Sequence, residues 1–184
     1  MKNIPISTIV SKCKEQDPAA QRELYDMYVL NLYNVSYRIL LSREDAEDAV
    51  HKAFVKAFAK IDTYKTERGH ISSWLAKICI NESIAIFRKR KVRFDSIDDK
   101  LTIASSEPSK LEHLEAEYIY KAINMLSDQQ RVIFNLFEVE GYSHKEVALL
   151  LDMNENTCRA YLSRAKVNLR ELLKVNFPDQ VNIF

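Results

Sequence analysis

Glycine and proline are scarce, at two and four residues in 184. So few glycines leave little room for left-handed turns, and neither an Asn-Gly hairpin signal nor an alternating apolar pattern is present. β architecture is thereby excluded in favour of helices joined by short polar links. Cys13, Cys79 and Cys158 lie far apart with no Cys-x-x-Cys pair, which excludes a zinc knuckle or a disulfide framework. They are expected as core thiols in a reducing cytoplasm. No window is long and apolar enough to cross a bilayer, and Met-Lys-Asn-Ile-Pro at the start leads into no apolar run that would mark a leader. A soluble, cytoplasmic protein follows as the expectation.

A strong charge of one sign is also missing, the formal net charge being only +1. The near-neutral total conceals opposite faces. Arg43-Glu-Asp-Ala-Glu-Asp48 is an acidic block, whereas Arg88-Lys-Arg-Lys91 with Arg93 is a dense basic one. With 47% of residues aliphatic, aromatic or cysteine, the chain has enough apolar matter to build cores. Its length suits one medium domain or two small ones.

The apolar spacing predicts helices throughout. Asp17-Pro18 reads as a cap with proline at the first helical position, opening a helix through Leu24, Tyr28, Leu32, Val35 and Ile39. A second helix begins at Ser42 and turns Ala46, Ala49, Val50, Ala53, Phe54, Ala57 and Phe58 inward. The stretch from Asp62 to Gly69 breaks the pattern, and a further helix runs from about Ile71 to Arg93. Polar residues then predominate, and about 94 to 110 is expected as a flexible link. The second unit starts with a helix carrying Leu111, Leu114, Tyr118, Ile119, Ala122 and Met125, followed by a helix from Ser127 to Glu140.

The last third is the most informative. Ser143-His-Lys-Glu146 is a capping box. It opens a short helix to Leu151, Asp152-Met-Asn154 breaks it, and Asn154 caps a second helix with Cys158, Leu162, Ala165, Leu169 and Leu172 inward. Asn156, Arg159, Ala160, Tyr161, Ser163, Arg164 and Lys166 are left outward. A short helix, a tight turn and a basic second helix form the geometry that enters a major groove, and arginine suits bidentate contact with guanine. The ordinary alternative is a pair of packed helices with no nucleic-acid role.

Two further groups have competing readings. Trp74 and Asn81, near the loop Thr66-Glu-Arg-Gly-His70 and ahead of the arginine cluster, suit the holding of unstacked bases; a lone tryptophan equally suits a core. Asp45, Asp48 and His51 recur at near-helical spacing, which admits a metal site, a solvated acidic face or a docking face for a basic protein surface. A second ligand cluster is lacking, so metal catalysis is disfavoured and no cofactor is expected.

In their order these pieces resemble the extracytoplasmic-function (group IV) sigma factors, from about residue 7 to residue 174. The resemblance rests on Arg43-Glu-Asp-Ala-Glu-Asp-Ala-Val-His-Lys-Ala-Phe54, on Trp74-Leu-Ala-Lys-Ile-Cys-Ile-Asn81 with its arginines, and on Asn156-Thr-Cys-Arg-Ala-Tyr-Leu-Ser-Arg-Ala165. It implies an all-α fold of two small helical domains. Residues 1–93 would be sigma region 2, 94–110 a linker threading toward the RNA exit path, and 111–184 sigma region 4. Asp45, Asp48, Ala49, His51, Lys52 and Phe54 would dock on the clamp coiled coil of the polymerase beta-prime subunit, and region 4 on the beta flap. Arg68, His70, Trp74, Asn81, Arg88, Lys89 and Arg90 would open and read the minus-ten element. Asn156, Thr157, Arg159, Ala160, Tyr161, Ser163, Arg164 and Lys166 would read the minus-thirty-five element. No catalytic residue and no metal are implied; an anti-sigma factor, often membrane-bound, is. The chain departs from the family pattern at His51-Lys52, where a glutamine-glutamate pair is usual, and at Asn156, Tyr161 and Asp152. Two other readings stay open: a helix-turn-helix regulator acting without polymerase, and a metal-dependent enzyme built on Asp45, Asp48 and His51.

Overall fold

The computed structural model describes residues 5–94 and 114–178. The expected link lies almost wholly outside the described residues, as does Leu111. The chain divides into two compact units, residues 1–93 and 94–184. Every regular element among the described residues is helical.

In the first unit, α1 (Ile6–Lys14) precedes α2 (Pro18–Leu40), α3 (Arg43–Ala59) and α4 (Ile71–Phe94). Asp17 caps α2 as its spacing predicts, its side chain accepting from the amides of Ala19 and Ala20, with Pro18 at the first position. Ser42 caps α3 by accepting from the amide of Asp45, and Glu44 and Asp45 place negative charge where the helix dipole favours it. Between α3 and α4 the chain makes two single-turn 3-10 segments, Ile61–Thr63 and Thr66–Arg68.

The core of this unit joins Ile9, Val10 and Cys13 of α1 to Leu24 and Leu32 of α2, Val50 and Phe54 of α3, Ile61, and Leu75 of α4. A polar seam crosses it. The buried Ser83 hydroxyl donates to the Cys79 carbonyl at 2.9 Å and lies 2.9 Å from the Ser36 hydroxyl. Both serine hydroxyls are thus satisfied within the helix pair. The three cysteines are free and buried. Burial pushes the Cys13 thiol up, with Asp17 and Glu23 adding to the effect, and burial likewise raises Cys158; such thiols are inert core residues.

The second unit contains α5 (Leu114–Asn124), α6 (Asp128–Phe134), α7 (His144–Leu151) and α8 (Glu155–Asn176). The single helix expected from Ser127 to Glu140 is instead α6 followed by a five-residue π-helical segment, Asn135–Val139. The wider turn has tertiary partners. Within it, Phe137 stacks on His144 with ring centroids 4.3 Å apart, and Glu138 pairs with Lys166 at 2.6 Å. Ala122, Ile123 and Leu126 pack with Ala165 and Leu169 of α8 in one core cluster, and Val132, Ile133, Leu136, Val147, Cys158 and Leu162 are also buried in this unit.

The capping box forms as expected: the Ser143 hydroxyl accepts from the Glu146 amide at 3.3 Å, and the Glu146 carboxylate accepts from the Ser143 amide at 2.9 Å. Replacing Ser143 with Ala is expected to cost the second unit about 1 kcal/mol, read as a lower urea midpoint for that unit with the first unit's transition unmoved.

Candidate nucleic-acid interface

The turn between α7 and α8 is built by Asp152, which adopts φ 54 and ψ 51, the left-handed conformation. Short polar side chains tolerate this region better than most, so aspartate does here what glycine commonly does after a helix. The Met153 amide closes the turn on the Ala148 carbonyl at 3.0 Å. Asn154 then caps α8, its side chain accepting from the Asn156 amide at 2.8 Å.

Packing of Cys158, Leu162, Ala165 and Leu169 fixes which face α8 shows to solvent. Asn156, Thr157, Arg159, Ala160, Ser163, Arg164 and Lys166 are exposed, and Tyr161 is half-buried. Two cations are tethered within the unit. Arg159 pairs with Glu155 at 2.6 Å along the helix, and Lys166 pairs with Glu138 beneath the Phe137 ring, 5.9 Å from its centroid. Arg164 stands exposed between them in sequence.

In the first unit, Trp74, Asn81 and Arg88 follow one another at intervals of seven residues, so they share a stripe on α4. Trp74 fits both sequence readings, being half-buried against the core and tilted against Tyr64 at 5.6 Å while keeping part of its indole in solvent. Asn81 is exposed, its amide donating to the Lys77 carbonyl at 2.7 Å. Arg88, Lys89 and His70 are exposed, and the His70 carbonyl receives the Trp74 amide at the start of α4. The side chain of Arg68 lies outside the described residues.

Arg90 is placed differently from its neighbours in the basic run. Its guanidinium donates to the Leu40 carbonyl at 3.2 Å and pairs with Asp45. It thereby satisfies a carbonyl at the end of α2 and neutralises a carboxylate at the start of α3. Arg90→Ala is expected to lower the first unit's unfolding free energy by about 1 kcal/mol, since the pair is partly solvated, while weakening DNA binding less than Lys89→Ala. Urea titration and DNA affinity at one fixed salt concentration separate the two effects.

The acidic block is largely self-compensated. Arg43 pairs with Glu47 at 3.0 Å and Lys52 with Asp48 at 2.6 Å. With Asp45 on Arg90, the carboxylates proposed as metal ligands already hold cations, and no group of three or more metal-ligating side chains occurs among the described residues. Ala49 and Phe54, which the motif assigns to polymerase contact, are core residues at 0% and 3% exposure. Alanine is needed there because α3 packs closely on its neighbours, and the Phe54 ring sits 4.6 Å from that of Tyr25. Both side chains are buried within the first unit. Glu44, Glu47, His51, Lys52 and Val55 are exposed along this part of α3, with Asp48 half-buried. Val55, an apolar side chain 56% exposed, is absent from the motif-based set; its spacing of four from His51 was the available signal.

These features define a two-unit helical protein with a helix-turn-helix in one unit and a basic, aromatic-bearing helix in the other. Comparison with known proteins gives that arrangement its family. The sigma-70 region 2 family model matches residues 24–93, and the sigma-70 region 4 model matches residues 116–169. The chain is 26% identical over 185 residues to the ECF RNA polymerase sigma factor SigW of Bacillus subtilis, covering 90% of this chain and 95% of that one. It is 25% identical over 158 residues to SigE of Mycolicibacterium smegmatis, covering 82% of this chain and 60% of that longer protein. Among solved structures it is similar to the sigma factor RpoE of Bartonella quintana in complex with the anti-sigma factor NepR, at 28% identity and a TM-score of 0.58, covering 84% of this chain and 96% of that one.

The chain belongs to the extracytoplasmic-function sigma factors of the sigma-70 family, non-enzymatic factors of promoter-specific transcription initiation.

Proposed function

We propose that this chain binds core RNA polymerase through the exposed stripe of α3 and directs it to promoters read at two places. Glu44, Asp48, His51, Lys52 and Val55 offer a mixed polar and apolar face to the clamp coiled coil. The region 4 unit adds the beta flap as a second foothold. In the first unit, the loop at 66–70 with Trp74, Asn81, Arg88 and Lys89 captures unstacked bases and phosphates of the minus-ten element. In the second, the N-terminal half of α8 reads the minus-thirty-five element through Arg159, Ala160, Ser163 and Arg164, with Asn156 and Thr157 toward the backbone. Lys166 and Tyr161 flank that surface.

The observation that carries this reading is the order of region 2 and region 4 on one chain, with α8 presenting a cation-bearing polar face behind a formed helix-turn-helix. Linking two weak readers makes the second contact intramolecular, so correct spacing of the promoter elements multiplies affinity. The chain itself performs no covalent step.

No helix among the described residues is long and apolar enough to cross a membrane; the promoter-reading role itself places the proposed action in the cytoplasm. The RpoE relative was solved with an anti-sigma factor, and an inhibitor of that kind is the fitting partner for a DNA-reading surface that must be hidden when its promoters are silent. Footprinting tests the reading. Protection of both promoter elements is expected only with core polymerase and the chain together; protection of a palindromic site by the chain alone would instead support a regulator independent of polymerase.

A further inference from the structure

Within the first unit, one buried residue touches both halves of the proposed minus-ten reader. Tyr64 is 7% exposed and belongs to the core of α1, α2, α3 and α4. Its hydroxyl donates to the Gly69 carbonyl at 3.0 Å, and its ring is tilted against Trp74 at 5.6 Å. Its own carbonyl accepts from the Lys14 ammonium at 3.2 Å, across from the end of α1.

The loop it grips is held by a single 3-10 turn, in which the Gly69 amide donates to the Thr66 carbonyl at 3.1 Å, and is otherwise open. Lys65, Thr66, Glu67, Gly69 and His70 are exposed, and Gly69 sits at φ 122, a conformation side chains rarely adopt. An exposed loop with a glycine hinge samples many conformations unless something anchored in the core fixes it. A buried tyrosine hydroxyl needs a partner, and here the partner is the loop's own hinge.

The geometry points to Tyr64 as the positioning residue of the minus-ten reader, with Lys14 as its brace, so that α1 tunes base recognition without contacting DNA. The hydroxyl fixes the loop in the geometry that receives an unstacked base, and the ring sets the tilt of Trp74. This inference rests on the sigma-factor reading and deepens it. Capture of a base demands placement to a fraction of an ångström, and pre-organising the loop removes an ordering cost that binding would otherwise bear.

The test uses the full chain bound to core polymerase, and two fork-junction DNA fragments that present a matched or a mismatched single-stranded minus-ten segment. Tyr64→Phe keeps the ring and loses only the hydroxyl. It is expected to weaken binding of the matched fork about fivefold, the worth of one net hydrogen bond. Binding of the mismatched fork and of duplex upstream-element DNA should stay level, so the matched-to-mismatched ratio falls. Lys14→Met is expected to lower the same ratio about twofold, as suits a partly solvated donor.

An unchanged ratio in Tyr64→Phe would overturn the inference. Equal weakening of all fragments would overturn it too, because a general loss of folded protein scales every affinity alike. Should Tyr64→Phe lack a cooperative unfolding transition, Lys14→Met decides by the same ratio. A wild-type holoenzyme that does not discriminate between the forks at all would count against the sigma-factor reading itself, a result distinct from failure of the positioning role.

Discussion

Arg164→Ala is expected to cost about 1–3 kcal/mol of affinity at the upstream promoter element and to relax base choice at one position there. Arg164 is exposed on α8, in the outward sector fixed by burial of Cys158, Leu162 and Ala165. Arginine discriminates guanine by a bidentate contact, so truncation loses both affinity and sequence choice, whereas loss of a phosphate contact weakens all sequences alike. Arg159→Ala should act in the same direction with a smaller net effect. Its guanidinium must first leave Glu155, although an exposed pair of this kind is worth no more than about 1 kcal/mol. Transcription from a library of randomised upstream elements reads both losses. If the selected sequences were the same for wild type and Arg164→Ala, α8 would not be the reading helix.

Trp74→Ala should have the largest effect in the first unit, because it removes two things at once. The indole packs against the core and against Tyr64, and deleting a large, largely packed aromatic commonly costs about 3–5 kcal/mol when fully buried. Trp74 is only half-buried, so about 2–3 kcal/mol of the unit's stability is the expected loss. In the proposed role the remaining exposed edge stacks on a base, worth roughly 1–3 kcal/mol per base. Trp74→Phe separates these roles by keeping much of the packing and reducing the stacking area. Permanganate reactivity of minus-ten thymines should vanish in the Ala variant and persist at reduced level in the Phe variant, while polymerase affinity of the Phe variant stays unchanged. Full reactivity in Trp74→Ala would assign the residue to the core alone.

Much of this arrangement was legible in the chain. Local signals with a short-range mechanism are where reading succeeds: Asp17 before Pro18, the Ser143–Glu146 box, and Asn154 at the head of α8 each cap a helix where the residue type demands it. The spacing of Cys158, Leu162, Ala165 and Leu169 likewise fixed the outward face of α8. Ala49 and Phe54 are more instructive. Helical period places them inward, the family motif places them toward polymerase, and their burial sides with the period, because a motif includes residues that shape a surface as well as those that form it.

What stayed hidden depends on partners distant in sequence. Nothing in Arg88-Lys-Arg-Lys91 tells which cation turns toward Asp45. The π-helical segment at Asn135–Val139 follows a run of ordinary helix formers, and its contacts with His144 and Lys166 arise only once α7 and α8 are in place. Helix α1 has Pro5 at its head with no side-chain cap; nine residues are too few for a stable isolated helix, so packing of Ile9, Val10 and Cys13 makes it. The Tyr64 hydroxyl was equally silent, since its acceptor is a backbone carbonyl that any residue at 69 would offer.

Promoter-directed transcription in vitro tests the central claim most directly. Core polymerase, with and without the full chain, would be presented with a genomic fragment library at one stated salt concentration. Defined start sites that appear only with the chain, sharing two elements at fixed spacing, are the predicted result. An unchanged pattern of starts, with core shown to be active on a nicked template, would contradict it.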